Sequence, residues 1–284
     1  MSKDLFYTRK NPDFVSNFSL INEKKNLVNY TVNELRFIDY LFTKLQKMLR
    51  YDKDKNLNDI NNEILTYDDK NQKWYFKLKD KKQETVRMKL NHSEVKKKLK
   101  FENQNYMKEI ENIIVSLQTK LIKIETKDSR RYINMFSNSN FTKDVENNVC
   151  DVFIDLNSNF LGEILRNNQF VVTNEENTDL IKSKYSYRIF QELERIIQQK
   201  GKILHKSFDN LNKFFNTNLR LDYMTKVMLN VKKELEEKEL LSFEMTREKS
   251  KNSKEWTWKI SKIKRLTKNK NNRRIIKELH SKKV

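Results

Sequence analysis

The chain has very few of the residues on which several common classes of protein depend. Its 284 residues include two glycines, one proline and one cysteine, and no alanine. A phosphate-binding loop or a dinucleotide-binding fingerprint needs several glycines within a few residues, whereas Gly162 and Gly201 are far apart. A single cysteine excludes an intrachain disulfide framework and a cysteine-rich zinc site. The scarcity of glycine therefore argues against these nucleotide-binding folds, and the single cysteine argues against disulfide-rich and zinc-binding domains.

Histidines and long apolar segments are also scarce. His92, His205 and His280 are too widely spaced for a His-x-x-x-His metal pair or the His-x-His motif of relaxases. No apolar run approaches the roughly 18 residues of a membrane span, and the first ten residues lack the apolar core of a signal peptide. We therefore expect a soluble, cytoplasmic protein with no metal, no cofactor, no catalytic residues and no membrane partner.

Positive charge is what the chain has in excess. It carries 59 Lys and Arg against 39 Asp and Glu, which gives a net charge of +20. The excess is uneven, because residues 176–284 hold 28 basic and 14 acidic residues while residues 1–175 hold 31 and 25. An unevenly basic chain of this kind favours a polyanionic partner, most often nucleic acid.

The first half of the chain predicts helices interrupted by strands. Thr31-Val-Asn-Glu34 has the form of a capping box, and Leu35, Ile38, Phe42, Leu45 and Leu49 follow at helical spacing. Residues 50–72 are rich in Asp, Asn and Lys and are interpreted as a loop insertion. Alternation predicts a hairpin from 74–78 and 86–90, followed by helices at 91–99 and 105–120 and a strand at 121–125. Further strands are expected at 132–136 and 149–155, and a helix at 157–165.

The second half repeats this order in a shorter form. The patterns predict a long helix over 178–199 ended by Gly201, a short helix capped by Ser207, and a third helix over 220–238. Met224, Val227, Met228, Val231 and Leu235 form the core face of that third helix. Strands at 241–245 and 256–260 then form a hairpin. This order of elements is typical of a winged-helix domain, in which a helix-turn-helix is followed by a β-hairpin called the wing.

We therefore predict an α+β fold with two tandem winged-helix domains and a basic C-terminal tail. The predicted segments are an N-terminal arm at 1–28, domain 1 at 29–170 with the insertion at 50–72, domain 2 at 176–262, and the tail at 263–284. Domain 2 is expected to be the main DNA-binding domain.

One motif resembles a known family, the replication initiators (Rep proteins) of iteron plasmids. The family carries Leu-x-Ser-x-Tyr-Ser-x-Arg-Leu-Tyr-x-x-Leu at the start of its second winged helix. The segment 180–193 matches it at Ser183, Tyr185, Ser186, Arg188 and Leu193, and has Phe190 in place of the second tyrosine. Segments 149–157, 223–235 and 256–260 resemble the end of the family's first domain, its second recognition helix and its final strand.

The resemblance implies a specific function. Such proteins bind double-stranded DNA at directly repeated sites (iterons) of a plasmid origin, help to open adjacent A/T-rich DNA, and bring in the host initiator and replicative helicase. Many also dimerise through the first domain and repress their own gene, which bears on copy control. Composition and periodicity alone predict none of these properties.

The candidate DNA-contacting residues follow from the third helix of domain 2. Once its core face is set aside, Lys226 and Asn230 lie four residues apart on one side, where Lys suits guanine and Asn suits adenine. We expect Arg220, Tyr223 and Lys233 to contact phosphate or sugar. Further backbone contacts are predicted at the start of the long helix and at the tip of the wing, namely Lys182, Lys184, Arg188, Arg247, Lys249, Lys251, Asn252 and Lys254.

Domain 1 leaves two alternatives open. Its corresponding helix offers Asn103, Gln104, Asn105, Lys108 and Asn112, but it also carries Glu109 and Glu111. Carboxylates near phosphate repel, so this helix either touches DNA with its N-terminal end or serves a protein interface.

Three other functions remain as alternatives. A tandem winged-helix transcription regulator would share the DNA-binding surface without initiator activity. A nucleic-acid enzyme is less favoured, because no spacing of acidic residues marks a nuclease site. A basic helical scaffold for membranes or acidic proteins is disfavoured by the interleaved strands.

Overall fold

The computed structural model describes residues 7–10, 15, 18–22, 24, 26–49, 65–68, 70, 73–78, 81–102, 105–125, 130–144, 149–165, 171–249 and 255–266. These residues form a mixed helical and β-sheet fold in which every paired strand is antiparallel. Residues 50–64 of the predicted insertion and 267–284 of the predicted tail fall outside them, as does part of the predicted arm. The predicted loop insertion contains a strand at Leu65–Asp68, and the predicted tail begins inside a strand that ends at Arg265, so both predictions were wrong at these residues.

The first half contains ten strands and four helices among the described residues. In chain order they are β1 (Tyr7–Lys10), β2 (Phe18–Ile21), α1 (Val32–Leu49), β3 (Leu65–Asp68), β4 (Lys73–Leu78), β5 (Lys81–Gln83), β6 (Thr85–Leu90), α2 (His92–Leu99), α3 (Tyr106–Gln118), β7 (Leu121–Glu125), β8 (Arg130–Asn134), β9 (Phe136–Asp144), β10 (Val149–Asn157) and α4 (Ser158–Leu165). They form sheets of strand order β2-β7-β8, β3-β4-β5 and β6-β10-β9.

The second half is smaller and more regular. It consists of β11 (Val171–Asn174), α5 (Glu175–Asp179), α6 (Lys184–Gln198), β12 (Leu204–Ser207), α7 (Phe208–Phe215), α8 (Leu221–Glu237), β13 (Leu241–Lys249) and β14 (Trp256–Arg265). Strands β12, β14 and β13 form one sheet, and α8 packs against α6 and β13. Strand β11 pairs with β1 and so joins the start of the second half to the start of the first.

Local sequence signals place several helix starts correctly. The Glu34 backbone N–H donates to Thr31 Oγ1 at 3.1 Å, and the Thr31 N–H donates to Glu34 Oε2 at 2.7 Å. Both bonds of the predicted capping box are therefore present, and they satisfy backbone donors that the helix leaves unpaired. Asn91 and Ser207 cap α2 and α7 with their side-chain oxygens. Asn105 makes no such bond at α3.

Two predicted elements differ in the structure. Segments 74–78 and 86–90 are strands, but they do not pair as a hairpin: β4 lies between β3 and β5, and β6 pairs with β10. The predicted helix 178–199 is two helices, because Ser183 is extended and its hydroxyl oxygen caps α6.

The end of α6 also departs from the expected glycine cap. Lys200 (φ 58°) adopts the left-handed conformation, whereas neither glycine has a positive φ. A Cβ at position 201 would lie 2.9 Å from Ile196 Cγ2, so Gly201 permits a close approach there rather than a left-handed turn.

Part of the predicted arm belongs to the folded structure. Strand β2 pairs with β7, and Leu20 is fully buried. Asn216 ends α7 in a left-handed conformation that asparagine tolerates, with φ 54°. Its amide donates to the carbonyls of Leu20 and Val28, and its Oδ1 accepts from the Leu20 N–H. The arm is therefore bonded to the second half by contacts too distant in sequence to be predicted.

Buried polar groups join α1 to the second half. Asp39 Oδ2 accepts from Tyr187 Oη at 2.5 Å and from Gln191 Nε2 at 3.1 Å. Arg36 donates to the carbonyl of Ile181 at 2.7 Å. Buried polar groups cost stability unless they are hydrogen-bonded, so these bonds fix how the two halves pack together.

Candidate nucleic-acid interface

Helix α8 has one buried side and one exposed side. Its buried residues are Met224, Val227, Met228, Val231 and Leu235, the five that the sequence assigned to the core face. Because those residues hold α8 against α6 and β13, the opposite side is directed to solvent. We call the exposed residues Tyr223, Lys226, Leu229, Asn230 and Lys233 the outer face of α8.

The centre of the outer face offers hydrogen-bonding groups that are not engaged elsewhere. Lys226 and Asn230 are both exposed, and neither side chain has a hydrogen bond or ion pair within the described part of the chain. Together they present an ammonium donor and an amide that can donate and accept at once. Such groups match the donor and acceptor pattern of base edges in a major groove.

An arginine of the hairpin is held beside this face. Arg247 Nη1 donates to Thr225 Oγ1 at 2.8 Å, and Thr225 Oγ1 in turn donates to the Leu221 carbonyl at 2.8 Å. The Arg247 guanidinium also lies 4.5 Å from the ring centroid of Trp256 on the neighbouring strand. Arg247 nevertheless remains exposed, so the two contacts hold its guanidinium in place while its other N–H groups stay accessible. The alternation that predicted a strand at 256–260 gave no indication of this arrangement.

Most acidic side chains of α8 lie near its C-terminal end, away from the centre of the outer face. Arg220 is exposed at the N-cap position, although it makes no side-chain cap. Lys233 lies 3.7 Å from Glu237, but both groups are well exposed and such pairs are weak. Glu234 Oε1 accepts from the backbone N–H groups of Lys182 and Ser183 and so supports the start of α6. Apart from Asp222, the acidic residues of α8 lie in its last turn, away from Lys226.

Arg188 lies where it cannot act as predicted. It is only 1% exposed and its guanidinium stacks on Phe214 at 4.4 Å. Burial lowers the pKa of Arg188, while nearby Tyr30 opposes that shift; the same burial raises the pKa of Tyr30 to about 12. Helix α6 is buried on most of its surface, so the rule that charged residues lie outside fails here. Arg188 supports the core between the halves.

Lys184 is also committed to internal contacts. Its Nζ donates to Asn29 Oδ1 at 3.2 Å and lies 5.2 Å from the ring centroids of both Tyr30 and Tyr185. Partial burial lowers its pKa. Lys184 is therefore less accessible to DNA than predicted, whereas Lys182 and Lys249 are exposed. Lys251, Asn252 and Lys254 lie outside the described residues.

Helix α3 presents a related pair. Lys108 and Asn112 are exposed, and they stand nine and five residues before the buried Leu117. Lys226 and Asn230 stand nine and five residues before the buried Leu235. The two helices therefore carry Lys and Asn at matching positions. Asn105 is exposed at the start of α3, and Asn103 and Gln104 lie outside the described residues.

Among the residues that the structure describes, no group of three or more His, Cys, Asp or Glu side chains could hold a metal ion. Within the same residues, no helix combines the length and apolar character needed to cross a bilayer.

Comparison with known proteins supports the predicted resemblance at the level of the fold. No family model and no curated protein matches the sequence. The structure is similar to the crystal structure of Pi initiator protein in complex with iteron DNA, with a TM-score of 0.57 and 9% identity, over 94% of this chain and 100% of that one. Domains 2 and 3 of RctB give a TM-score of 0.45 and 7% identity, over 88% of this chain and 98% of theirs. The chain thus shares the fold of an initiator protein.

Proposed function

We propose that this protein initiates DNA replication at a plasmid origin by binding double-stranded DNA repeats in a sequence-specific manner. The observation that carries the proposal is the outer face of α8, where Lys226 and Asn230 stand exposed beside the anchored Arg247. A helix that enters a major groove needs base-reading groups at its centre and phosphate-binding groups at its sides. The net charge of +20 supplies long-range attraction to DNA.

The architecture proposed for this function is two tandem winged-helix domains, at 29–170 and 176–262. Helices α1, α2 and α3 followed by β7 and β8 have the same order as α6, α7 and α8 followed by β13 and β14. In each half the hairpin belongs to a three-stranded sheet. In this proposal α8 enters one major groove with the β13–β14 hairpin as its wing, and the basic segment 263–284 adds charge.

Domain 1 is proposed to contact DNA as well. Lys108 and Asn112 occupy the same positions on α3 as Lys226 and Asn230 occupy on α8, which favours the DNA alternative over the protein interface. Glu109 and Glu111 weaken the contact by repelling phosphates. Helix α3 is therefore the weaker of two reading helices.

The remaining steps rest on the sequence resemblance. They are opening of adjacent A/T-rich DNA, recruitment of a host initiator and helicase, dimerisation through domain 1, and repression of the protein's own gene. The proposed function requires no cofactor and no catalytic step, and it takes place in the cytoplasm.

Footprinting of the DNA that flanks its own gene tests the proposal. The full-length protein would be used at about 0.15 M salt with excess competitor DNA, because phosphate contacts alone give salt-sensitive binding to any sequence. We expect regularly spaced protection over direct repeats beside an A/T-rich stretch. Protection of a single inverted repeat at a promoter would instead indicate a transcription regulator. Complete loss of protection with competitor would exclude specific recognition.

A further inference from the structure

The outer face of α8 has an apolar residue at its centre. Leu229 is 55% exposed and Tyr223 is 54% exposed, the two highest values among the large hydrophobic side chains that the structure describes. Single exposed leucines are common on protein surfaces and need no explanation by themselves. Leu229, however, is adjacent to Asn230 and lies one turn from both Lys226 and Lys233, so it stands among the groups proposed to meet DNA.

Leu229 can recognise only one feature of a base edge. Its side chain has no donor or acceptor, so it cannot pair with guanine, adenine or cytosine in the major groove. Thymine alone presents an apolar group there, the 5-methyl. Tyr223 is a weaker candidate because its hydroxyl also suits phosphate or sugar. Flanking Lys226 and Lys233 complement the phosphates on each side and make DNA, rather than an apolar protein surface, the matching occupant.

We propose that Leu229 is a specificity-determining residue that contacts the 5-methyl group of a thymine in the recognised DNA, next to the base pair read by Asn230. This inference rests on the proposed function. It adds that the repeat contains a required thymine at one position. The contact buries a methyl group against leucine and excludes water between them, which favours thymine over the other bases.

The test uses full-length protein and DNA selected from a random pool by repeated binding at fixed salt. Each thymine of the selected site is then replaced in turn by deoxyuracil, which lacks only the 5-methyl group. Wild type should lose roughly 3- to 10-fold in affinity at one thymine, as expected for one buried methyl. Leu229→Ala should bind the original DNA with a similar loss and show no further loss with deoxyuracil at that thymine.

Two variants serve as controls. Leu180 is 45% exposed and lies outside α8, so Leu180→Ala makes the same chemical change at a comparable leucine and should retain the wild-type response to deoxyuracil. Leu229→Met keeps an apolar side chain of similar volume and should retain most of the thymine preference.

The possible outcomes distinguish a failure of the thymine contact from a failure of the proposed function. Specific binding that is insensitive to deoxyuracil at every position would overturn the thymine contact but not DNA recognition. Equal sensitivity in wild type and Leu229→Ala would do the same. If Leu229→Ala weakens binding only on DNA with two adjacent sites, Leu229 meets a second protein copy and the thymine contact is wrong. Failure to select any preferred sequence would contradict the proposed function and this inference together.

Discussion

Helices α3 and α8 have the same pair of polar residues but different surroundings. Both place Lys and Asn four residues apart at matching distances from a buried leucine. On α8 the pair is accompanied by Leu229 and by Arg247, which Thr225 and Trp256 hold in place. On α3 the neighbours are Glu109 and Glu111. We therefore expect the two helices to differ as DNA interfaces, because adjacent carboxylates repel phosphate whereas an anchored cation attracts it.

The largest effect is expected from removing both polar residues of α8. Each well-placed base contact contributes about 1–3 kcal/mol of discrimination, so Lys226→Ala with Asn230→Ala should weaken binding to the selected DNA roughly 100-fold. The matched double variant of α3, Lys108→Ala with Asn112→Ala, should lose about 10-fold or less. Titration of both double variants against the same labelled DNA measures the ratio of their affinity losses. Equal losses would show that the two helices contribute equally.

The anchored arginine should produce the next largest effect. Arg247→Ala removes a charge-assisted contact with phosphate and should cost about 10-fold in affinity, by analogy with about 1.5 kcal/mol for such a bond. Thr225→Val keeps the side-chain volume but removes the acceptor that orients Arg247. It should cost about two- to threefold at unchanged thermal stability. If Thr225→Val binds like wild type, Arg247 does not need its anchor.

Salt dependence separates the exposed cations from the internal ones. Arg220→Ala and Lys233→Ala should each reduce the slope of log affinity against log salt concentration by about 1, as one phosphate contact requires. Lys184→Ala should leave the slope unchanged, because the Lys184 ammonium group packs against the rings of Tyr30 and Tyr185. A reduced slope for Lys184→Ala would show that Lys184 does contact a DNA phosphate.

The smallest effect concerns the acidic neighbour on α3. Glu111→Gln removes one exposed negative charge next to Asn112. A unit charge about 7 Å from a phosphate in water costs roughly 0.6 kcal/mol, so affinity should rise about two- to threefold. The measurement is the same titration at low salt, with Glu239→Gln, an exposed residue just beyond the end of α8, as control. Unchanged affinity would favour a protein interface for α3.

The sequence predicts local features well and nonlocal ones poorly. Periodicity identified all five core residues of α8, and capping chemistry placed Thr31 and Ser207, because each signal depends on residues no more than four positions apart. Pairing of β6 with β10 joins Leu90 to Val152, and no local pattern encodes that distance.

The candidate site shows the same contrast between local features, which could be predicted, and nonlocal ones, which could not. Lys226 and Asn230 could be predicted by subtracting the core face of α8. Arg188 could not be placed in this way, because α6 is buried by α1 and by the second half on most sides. The anchoring of Arg247 joins residues 22 positions apart through Thr225. Leu229 did give a signal, since it is an apolar residue that the core stripe of α8 leaves out.

Methylation interference tests the central claim that the outer face of α8 reads a major groove. Methylation of guanine N7 adds a group on the major-groove edge that Lys226 is proposed to contact. The account predicts at least one guanine in each repeat where N7 methylation blocks wild-type binding but does not weaken binding of Lys226→Ala any further. An interference pattern that is identical for wild type and Lys226→Ala, or one that includes only minor-groove positions, would contradict it.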